Sequence, residues 1–131
     1  MIGLDTNVLV RFLAQDGAKQ AITANKLFSS LSQTHPAYIT QISLVELVWV
    51  MQGCYGVSKK ELVSILDRLF HTRELVIENL DIAIQALSVF TNTNAEFSDC
   101  IIECNSRLAG CTQTLTFDRN AAKQSGMRLA D

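Results

Sequence analysis

The chain begins with the stretch MIGLDTNVLVRFL (residues 1–13), in which a short apolar run meets a polar turn at Asp5–Asn7 before apolar residues resume. This pattern predicts a short buried strand that ends in the turn, followed by a helix over Val8–Leu13. Asp5 is therefore expected at the carboxyl end of a strand.

The rest of the chain repeats this order of strand and helix. Ser43 and Ser98 stand where helix N-caps are expected, and Gly56 and Gly110 where helices should end. The predicted strands are Ala37–Ile39, Leu75–Ile77, Thr114–Phe117 and Met127–Leu129, and the further helices are Ala18–Leu31, Leu44–Tyr55, Ser58–Phe70, Leu80–Phe90, Asp99–Leu108 and Asn120–Lys123. Such alternation predicts an α/β fold with a parallel sheet covered by helices on both faces.

Length and composition predict one domain that spans residues 1–131. The chain has 131 residues, 48% of them hydrophobic and 18% charged, which is enough apolar material for a single packed core. No apolar run approaches the roughly 20 residues of a membrane span, and the N-terminus lacks the pattern of a secretory signal. We therefore expect a cytoplasmic protein without a membrane partner.

The cysteines and histidines do not form a recognisable metal-binding pattern. Cys54, Cys100, Cys104 and Cys111 lack the paired spacing of a zinc site and the density of a disulfide scaffold, so reduced core thiols are expected. The two histidines, at positions 35 and 71, are expected on the surface.

Four acidic residues differ from the rest because they lie among apolar neighbours. Asp5 and Asp118 each follow a predicted strand, whereas Glu46 and Asp99 lie in the first turns of predicted helices. In open parallel sheets, ligands bind beyond the carboxyl ends of the strands. The sequence therefore predicts that all four carboxylates meet at one edge of the sheet.

Four carboxylates at one edge would repel one another unless a cation neutralised them. Oxygen ligands without histidine favour Mg²⁺ or Mn²⁺ over zinc. A metal held in this way can lower the pKa of a bound water and stabilise charge on a phosphate, which is the chemistry of nucleases. The net charge of −2 does not by itself predict a nucleic-acid partner.

Each of these acids also has a purely structural interpretation. Asp5 and Asp118 could be helix N-caps, Asp99 a first-turn acid favoured by the helix dipole, and Glu46 the capping-box partner of Ser43. Glu103 is expected to pair with Arg107, four residues further along the same helix, rather than to act as a fifth site carboxylate.

The four acids stand in motifs that resemble those of the PIN-domain ribonucleases, and most closely the VapC-like toxins of bacterial type II toxin-antitoxin systems. The motifs are Leu4–Asn7, Ser43–Leu47 with its lone Glu46, Phe97–Asp99 at the start of a helix, and Thr114–Asp118. The resemblance covers essentially the whole chain. Ser98 departs from the family's usual alanine.

The resemblance implies a three-layer α/β/α sandwich and a Mg²⁺- or Mn²⁺-dependent endoribonuclease. The family's acidic quartet falls on Asp5, Glu46, Asp99 and Asp118, which would hold the metal. Asn7 and Thr116 look like the polar residues that orient the first and last carboxylates. The resemblance also implies a homodimer, a cognate antitoxin protein that covers the active site, and RNA targets such as transfer RNA or ribosomal RNA.

Other functions remain open at this point. A phosphatase of the haloacid-dehalogenase kind would need a second aspartate where Asn7 stands. A non-catalytic PIN-like module could bind RNA or a protein with the same fold, and cleavage of DNA would use the same site chemistry. Trp49 and Tyr55 are candidates for the dimer surface, and Trp49 could equally be buried in the core.

Overall fold

A computed structural model describes residues 1–130 and contains alternating helices and short strands. The helices are α1 (Thr6–Ala14), α2 (Ala18–Ser30), α3 (Gln41–Gly53), α4 (Lys59–Phe70), α5 (Leu80–Asn92), α6 (Phe97–Leu108) and α7 (Arg119–Gln124). The strands are β1 (Ile2–Gly3), β2 (Ala37–Ile39), β3 (Leu75–Ile77), β4 (Leu115–Thr116) and β5 (Arg128–Leu129). All strand pairs are parallel, which confirms the predicted α/β fold class.

The first of two compact units extends to Glu78 and contains a three-stranded sheet in the order β1-β2-β3. The central strand β2 contributes Ala37 and Ile39, both fully buried, and it pairs in register with Leu75–Ile77 of β3. Helices α1 and α2 connect β1 to β2, and α3 and α4 connect β2 to β3. Parallel neighbouring strands cannot be joined by a tight turn, and these helices provide the long crossover connections that parallel pairing requires.

The second unit begins at Asn79 and contains α5, α6 and the β4-α7-β5 segment. Helices α5 and α6 pack together, and the rings of Phe90 and Phe97 meet edge to face with centroids 5.7 Å apart. Strands β4 and β5 pair so that Leu115 lies opposite Arg128. The short helix α7 crosses from one strand to the other.

Most predicted elements are observed within a few residues of their predicted bounds, but two helices begin elsewhere. Thr40, not Ser43, caps α3, and its side chain accepts a hydrogen bond from the Ser43 amide at 3.1 Å. Glu96 occupies the N-cap of α6 and makes no side-chain capping bond, so Ser98 lies inside the helix. Gly110 follows α6 with φ of +100°, a left-handed conformation suited to glycine, as predicted for the end of this helix.

Several burial predictions need correction. The opening strand β1 is an edge strand rather than a buried one, with Ile2 45% exposed, and the first buried side chain is that of Leu4. Cys100 and Cys104 are buried free thiols as expected, whereas Cys54 and Cys111 are exposed. Trp49 is 57% exposed and is not a core residue. Both histidines are exposed, as predicted.

Among the residues that the structure describes, every helix is too short or too polar to cross a bilayer.

Candidate functional site

Asp5 lies where β1 passes into α1 and is the N-cap of that helix. Its Oδ1 accepts a hydrogen bond from the Thr6 amide at 2.7 Å, and its backbone carbonyl accepts the Val8 amide at 3.1 Å. The capping interpretation of this residue is therefore correct. It occupies only one oxygen of the carboxylate, so capping does not exclude a second role for the group.

Glu46 lies in the second turn of α3 and is held by a residue far away in sequence. The Thr6 hydroxyl donates to Glu46 Oε1 at 2.8 Å across a separation of 40 residues. Because α3 begins at Gln41, Glu46 is not at the third helical position, and the capping-box interpretation with Ser43 is wrong. A residue in the second turn of a helix cannot satisfy its free amides, so capping does not account for this carboxylate.

Thr6 connects these two carboxylates, since its amide donates to Asp5 and its hydroxyl donates to Glu46. The threonine is itself buried, so both bonds are fixed by packing. Sequence reasoning selected Asn7 rather than Thr6 as the orienting residue of the first motif. The sequence carries no signal for this role of Thr6, because its hydroxyl bonds a residue 40 positions away.

A cavity of about 670 Å³ opens beside this pair, lined by Asp5, Thr6, Asn7, Arg11, Asp16, Glu46 and Tyr55 among others. Among the described residues, Arg11 is the only cation in the lining, and Gln20, Asp16 and Tyr55 hold its guanidinium. The contacts are 2.6 Å to Gln20 Oε1, 3.1 Å to Asp16 Oδ1 and 3.3 Å to the Tyr55 hydroxyl. The cavity thus combines carboxylates with one fixed positive charge.

Asp16 and Tyr55 were not predicted as site residues. The Tyr55 hydroxyl donates to Asp16 Oδ2 at 2.5 Å, and this bond, followed by the charge of Arg11, holds the pKa of Asp16 below its usual value. The same carboxylate raises the pKa of Tyr55. Asp16 therefore stays ionised and keeps the guanidinium of Arg11 in place.

In the second unit, Asp99 is the third residue of α6 and is half-buried. Burial raises its pKa, and the negative charges of Glu96 and Asp118 raise it further. The charge of Asp118 therefore acts on Asp99, after the larger effects of burial and of Glu96. Glu96 is an additional acid that sequence reasoning treated as an ordinary solvated residue.

Asp118 is the N-cap of α7, as its structural interpretation predicted. Its Oδ1 accepts hydrogen bonds from the amides of Asn120 at 2.8 Å and Ala121 at 3.1 Å. Thr116 acts on the backbone of this residue, because its hydroxyl accepts the Asp118 amide at 3.0 Å. The threonine therefore fixes the turn that presents the carboxylate.

Glu103 is accounted for by an ion pair. Arg107 Nε donates to Glu103 Oε1 at 3.2 Å, which confirms the expected pairing across one helical turn. This contact removes the need to assign Glu103 to the candidate site.

The structure thus brings Asp5 next to Glu46 and couples Asp99 to Asp118. Within residues 1–130 it shows no group of three or more acidic, histidine or cysteine side chains arranged to hold a metal ion. The convergence of all four carboxylates remains a prediction. The donor chemistry of each pair fits a hard divalent cation, since carboxylate oxygens are the ligands that Mg²⁺ and Mn²⁺ prefer.

Comparison with known proteins gives one finding on the family. No curated protein matches the chain at a significant level. The profile that describes the PIN domain matches residues 2–126.

Proposed function

This chain belongs to the PIN domain family, whose members are generally nucleases, and on that premise we propose that it is a metal-dependent endoribonuclease. The observation that carries the proposal is the Asp5–Thr6–Glu46 arrangement. Two carboxylates from distant parts of the chain share one buried hydroxyl-bearing residue and line a cavity that also contains a fixed guanidinium. Such an arrangement suits the binding of a cation together with a phosphate.

We propose that Asp5, Glu46, Asp99 and Asp118 are the residues that would hold Mg²⁺ or Mn²⁺. When bound, such an ion supplies an activated water and neutralises charge on the scissile phosphate. Thr6 orients the first two carboxylates through its two hydrogen bonds. Thr116 orients Asp118 through the backbone.

Two further residues have supporting roles in the proposal. Arg11 offers its guanidinium to a substrate phosphate, because Asp16 and Gln20 fix it at the cavity. Asn7 lines the same cavity and is retained as a supporting residue that contacts substrate or water.

The resemblance to VapC-like toxins carries the finer proposals. We propose that the protein is the toxin of a type II toxin-antitoxin pair, that it forms a homodimer, and that a cognate antitoxin covers its active site. Transfer RNA and ribosomal RNA are the proposed substrates. The exposed side chains of Ile42 and Trp49 on α3 support the dimer.

A non-catalytic PIN-like binding module is the second candidate. It is favoured by the finding that the described residues contain no ready group of three metal ligands. A binding module should not need divalent ions, and it should gain stability when two of its clustered carboxylates are neutralised.

Cleavage of an end-labelled transfer RNA pool tests the proposal. Purified protein is incubated with Mg²⁺, with Mn²⁺ and with chelator, beside Asp5→Asn and the matched control Asp67→Asn. Asp67 is an exposed aspartate of α4 that pairs with His71 on the same helix face. We expect discrete cuts with either metal, no cuts in chelator, no cuts by folded Asp5→Asn, and full activity of Asp67→Asn.

Two results would contradict the proposal. Absence of cuts, together with calorimetry that shows no binding of divalent ions, would favour the binding module. Cleavage of a labelled DNA strand but not of RNA would show that the substrate is DNA.

A further inference from the structure

Phe117 is the most exposed large apolar side chain of the described residues, with 87% of its surface open to solvent. It directly follows β4 and directly precedes Asp118, one of the four proposed site carboxylates. An isolated exposed apolar residue is ordinary on a protein surface. Phe117 differs from such residues because it is the chain neighbour of Asp118, a carboxylate that we assign to phosphodiester hydrolysis.

The segment around Phe117 is rich in exposed cations. Arg119 and Lys123 lie four residues apart on α7 and therefore on one side of that helix. Arg128 on β5 is the register partner of Leu115, two residues before Phe117. Within residues 1–130 none of these three cations forms an ion pair, although Arg128 donates to Gln113 Oε1 at 3.1 Å.

We propose that the β4-α7-β5 segment binds single-stranded RNA, with Phe117 as the platform on which one unpaired base stacks and Arg119, Lys123 and Arg128 as its phosphate contacts. The inference rests on the proposed nuclease function and names the form of RNA that the site takes. Aromatic rings that stack bases beside cations that hold the backbone are how proteins bind single strands. A base inside a duplex cannot stack on the ring, so unpaired RNA should be preferred.

A second copy of this chain is a poorer occupant of the same surface. In a symmetric dimer through this surface, three cations of one copy would face three cations of the other, and the only acid between Leu115 and Leu129 is Asp118. Like charges placed together in this way oppose association. A polyanion meets the same three cations favourably.

Binding is measured in chelator, so that the result does not depend on cleavage. The probes are a fluorescent single-stranded oligoadenylate of about a dozen residues, its duplex with oligouridylate, and a strand of the same length in which every position is abasic. The proteins are the wild type, Phe117→Ala, Phe117→Tyr and the matched control Leu108→Ala. Leu108 is an exposed apolar residue at the far end of α6.

We expect Phe117→Ala to weaken binding of the single strand by about 5- to 150-fold, the range that the loss of one stacked base corresponds to. Phe117→Tyr and Leu108→Ala should bind as the wild type does. Binding of the duplex should be weaker and insensitive to Phe117→Ala. Substitution of Arg119 or Lys123 by Gln should lower the slope of log affinity against log salt by about 0.7 each.

A spectroscopic readout separates stacking from a general loss of affinity. In a Trp49→Phe background, the fluorescence of Phe117→Trp should be quenched by the intact single strand and not by the fully abasic strand, which has no base to cover the ring. Unchanged affinity of Phe117→Ala, or an equal loss in Leu108→Ala, would overturn the proposal. Self-association of the wild type that Phe117→Ala abolishes would assign this surface to a second copy.

The two proposals fail separately in these experiments. Binding that depends on Phe117 without any cleavage in Mg²⁺ or Mn²⁺ would retain the RNA surface and reject the nuclease. Cleavage by the wild type, together with RNA binding that does not depend on Phe117, would retain the nuclease and reject the RNA surface.

Discussion

At the scale of single residues, Thr6 has the largest organising role in the first unit. One short side chain and its own amide fix both Asp5 and Glu46, and the residue is buried. A serine or threonine can do this because its hydroxyl donates while its backbone amide serves a second acceptor. The geometry of the two carboxylates therefore depends on a residue that carries no charge.

Thr6→Val tests this role. Valine keeps the shape of the side chain but cannot donate to Glu46, so the free energy of unfolding should fall by about 1 kcal/mol. If Glu46 acts on substrate or metal, the rate of RNA cleavage should fall by about 10- to 100-fold. This is the usual loss when a residue that orients a metal-binding side chain is removed. Urea unfolding and RNA cleavage measure the two effects.

Thr23→Val is the matched control, because the Thr23 hydroxyl donates to the Lys19 carbonyl within the same helix, α2. It should leave cleavage unchanged. Equal activity of the two variants would show that the Thr6–Glu46 bond has no functional part.

Asp99 provides the pH-dependent prediction. Its folded pKa is raised above the unfolded value of about 3.9, so the folded protein binds this proton more tightly than the unfolded chain does. The stability associated with the group is fully present below the unfolded pKa and is lost as the pH rises through the folded pKa. At neutral pH in the absence of metal, ionised Asp99 therefore destabilises the fold.

Asp99→Asn should accordingly raise the melting temperature of the metal-free protein at pH 7 by a few degrees. The difference from the wild type should vanish at about pH 3, below the unfolded pKa, where the carboxyl is protonated in both the folded and the unfolded chain. Thermal melts between pH 3 and 8 measure it, with exposed Asp67→Asn as the control. A variant that is less stable than the wild type at every pH would contradict the electrostatic interpretation.

At the scale of elements, the starts of α3 and α6 show what decides a helix end. Thr40 caps α3 because its hydroxyl reaches the free amide of Ser43, while Ser43 is buried inside the first turn. Helix α6 begins at the buried Phe97 and receives no capping bond from the Glu96 side chain. Packing of the first turn therefore determines this start, and the polar residue nearby does not.

Thr40→Ala tests the cap of α3. Loss of the capping bond should lower the free energy of unfolding by about 1 kcal/mol, within the usual range of 0.5–2 for N-cap threonines. Ser98→Ala, at the position where sequence alone placed a cap, should change it by less than about 0.5 kcal/mol. Urea titration measures the free energy of unfolding of both variants. A loss of more than about 0.5 kcal/mol in Ser98→Ala would show that Ser98 caps α6 after all.

At the scale of the whole molecule, the proposed homodimer depends on a helix face that the chain leaves uncovered. Ile42 and Trp49 are separated by seven residues, two turns of α3, so they lie on the same side of the helix. Both are largely exposed. Burial of such a face against a second copy would account for an exposed tryptophan, a residue enriched in protein interfaces.

Trp49→Glu should convert the dimer to a monomer, because a charge at the centre of an apolar interface leaves an unpaired buried carboxylate. Sedimentation velocity at several concentrations measures the change. Ile22→Glu, an equally exposed apolar position on α2, should leave the association state unchanged. A wild-type protein that sediments as a monomer at every concentration would reject the dimer outright.

The sequence by itself determined the elements and their order. Strands β2 and β3 have the bounds that their apolar runs predicted. Gly110 follows the end of α6 in a left-handed conformation, as a glycine at this position predicted. The caps Asp5 and Asp118 and the Glu103–Arg107 pair were also predictable. All of these depend on residues within a few positions of one another, so the local pattern contains the information.

Only the tertiary structure decided which groups meet across the chain and which remain open to solvent. The Thr6–Glu46 bond joins residues 40 positions apart, and the Arg11–Tyr55 contact joins residues 44 apart. The exposure of Phe117, the last residue of a predicted strand, likewise depends on what packs around β4. A periodic pattern gives the face of the helix or strand on which a side chain lies. The residue that it contacts is set by packing between elements, and a short stretch of sequence contains no information about that packing.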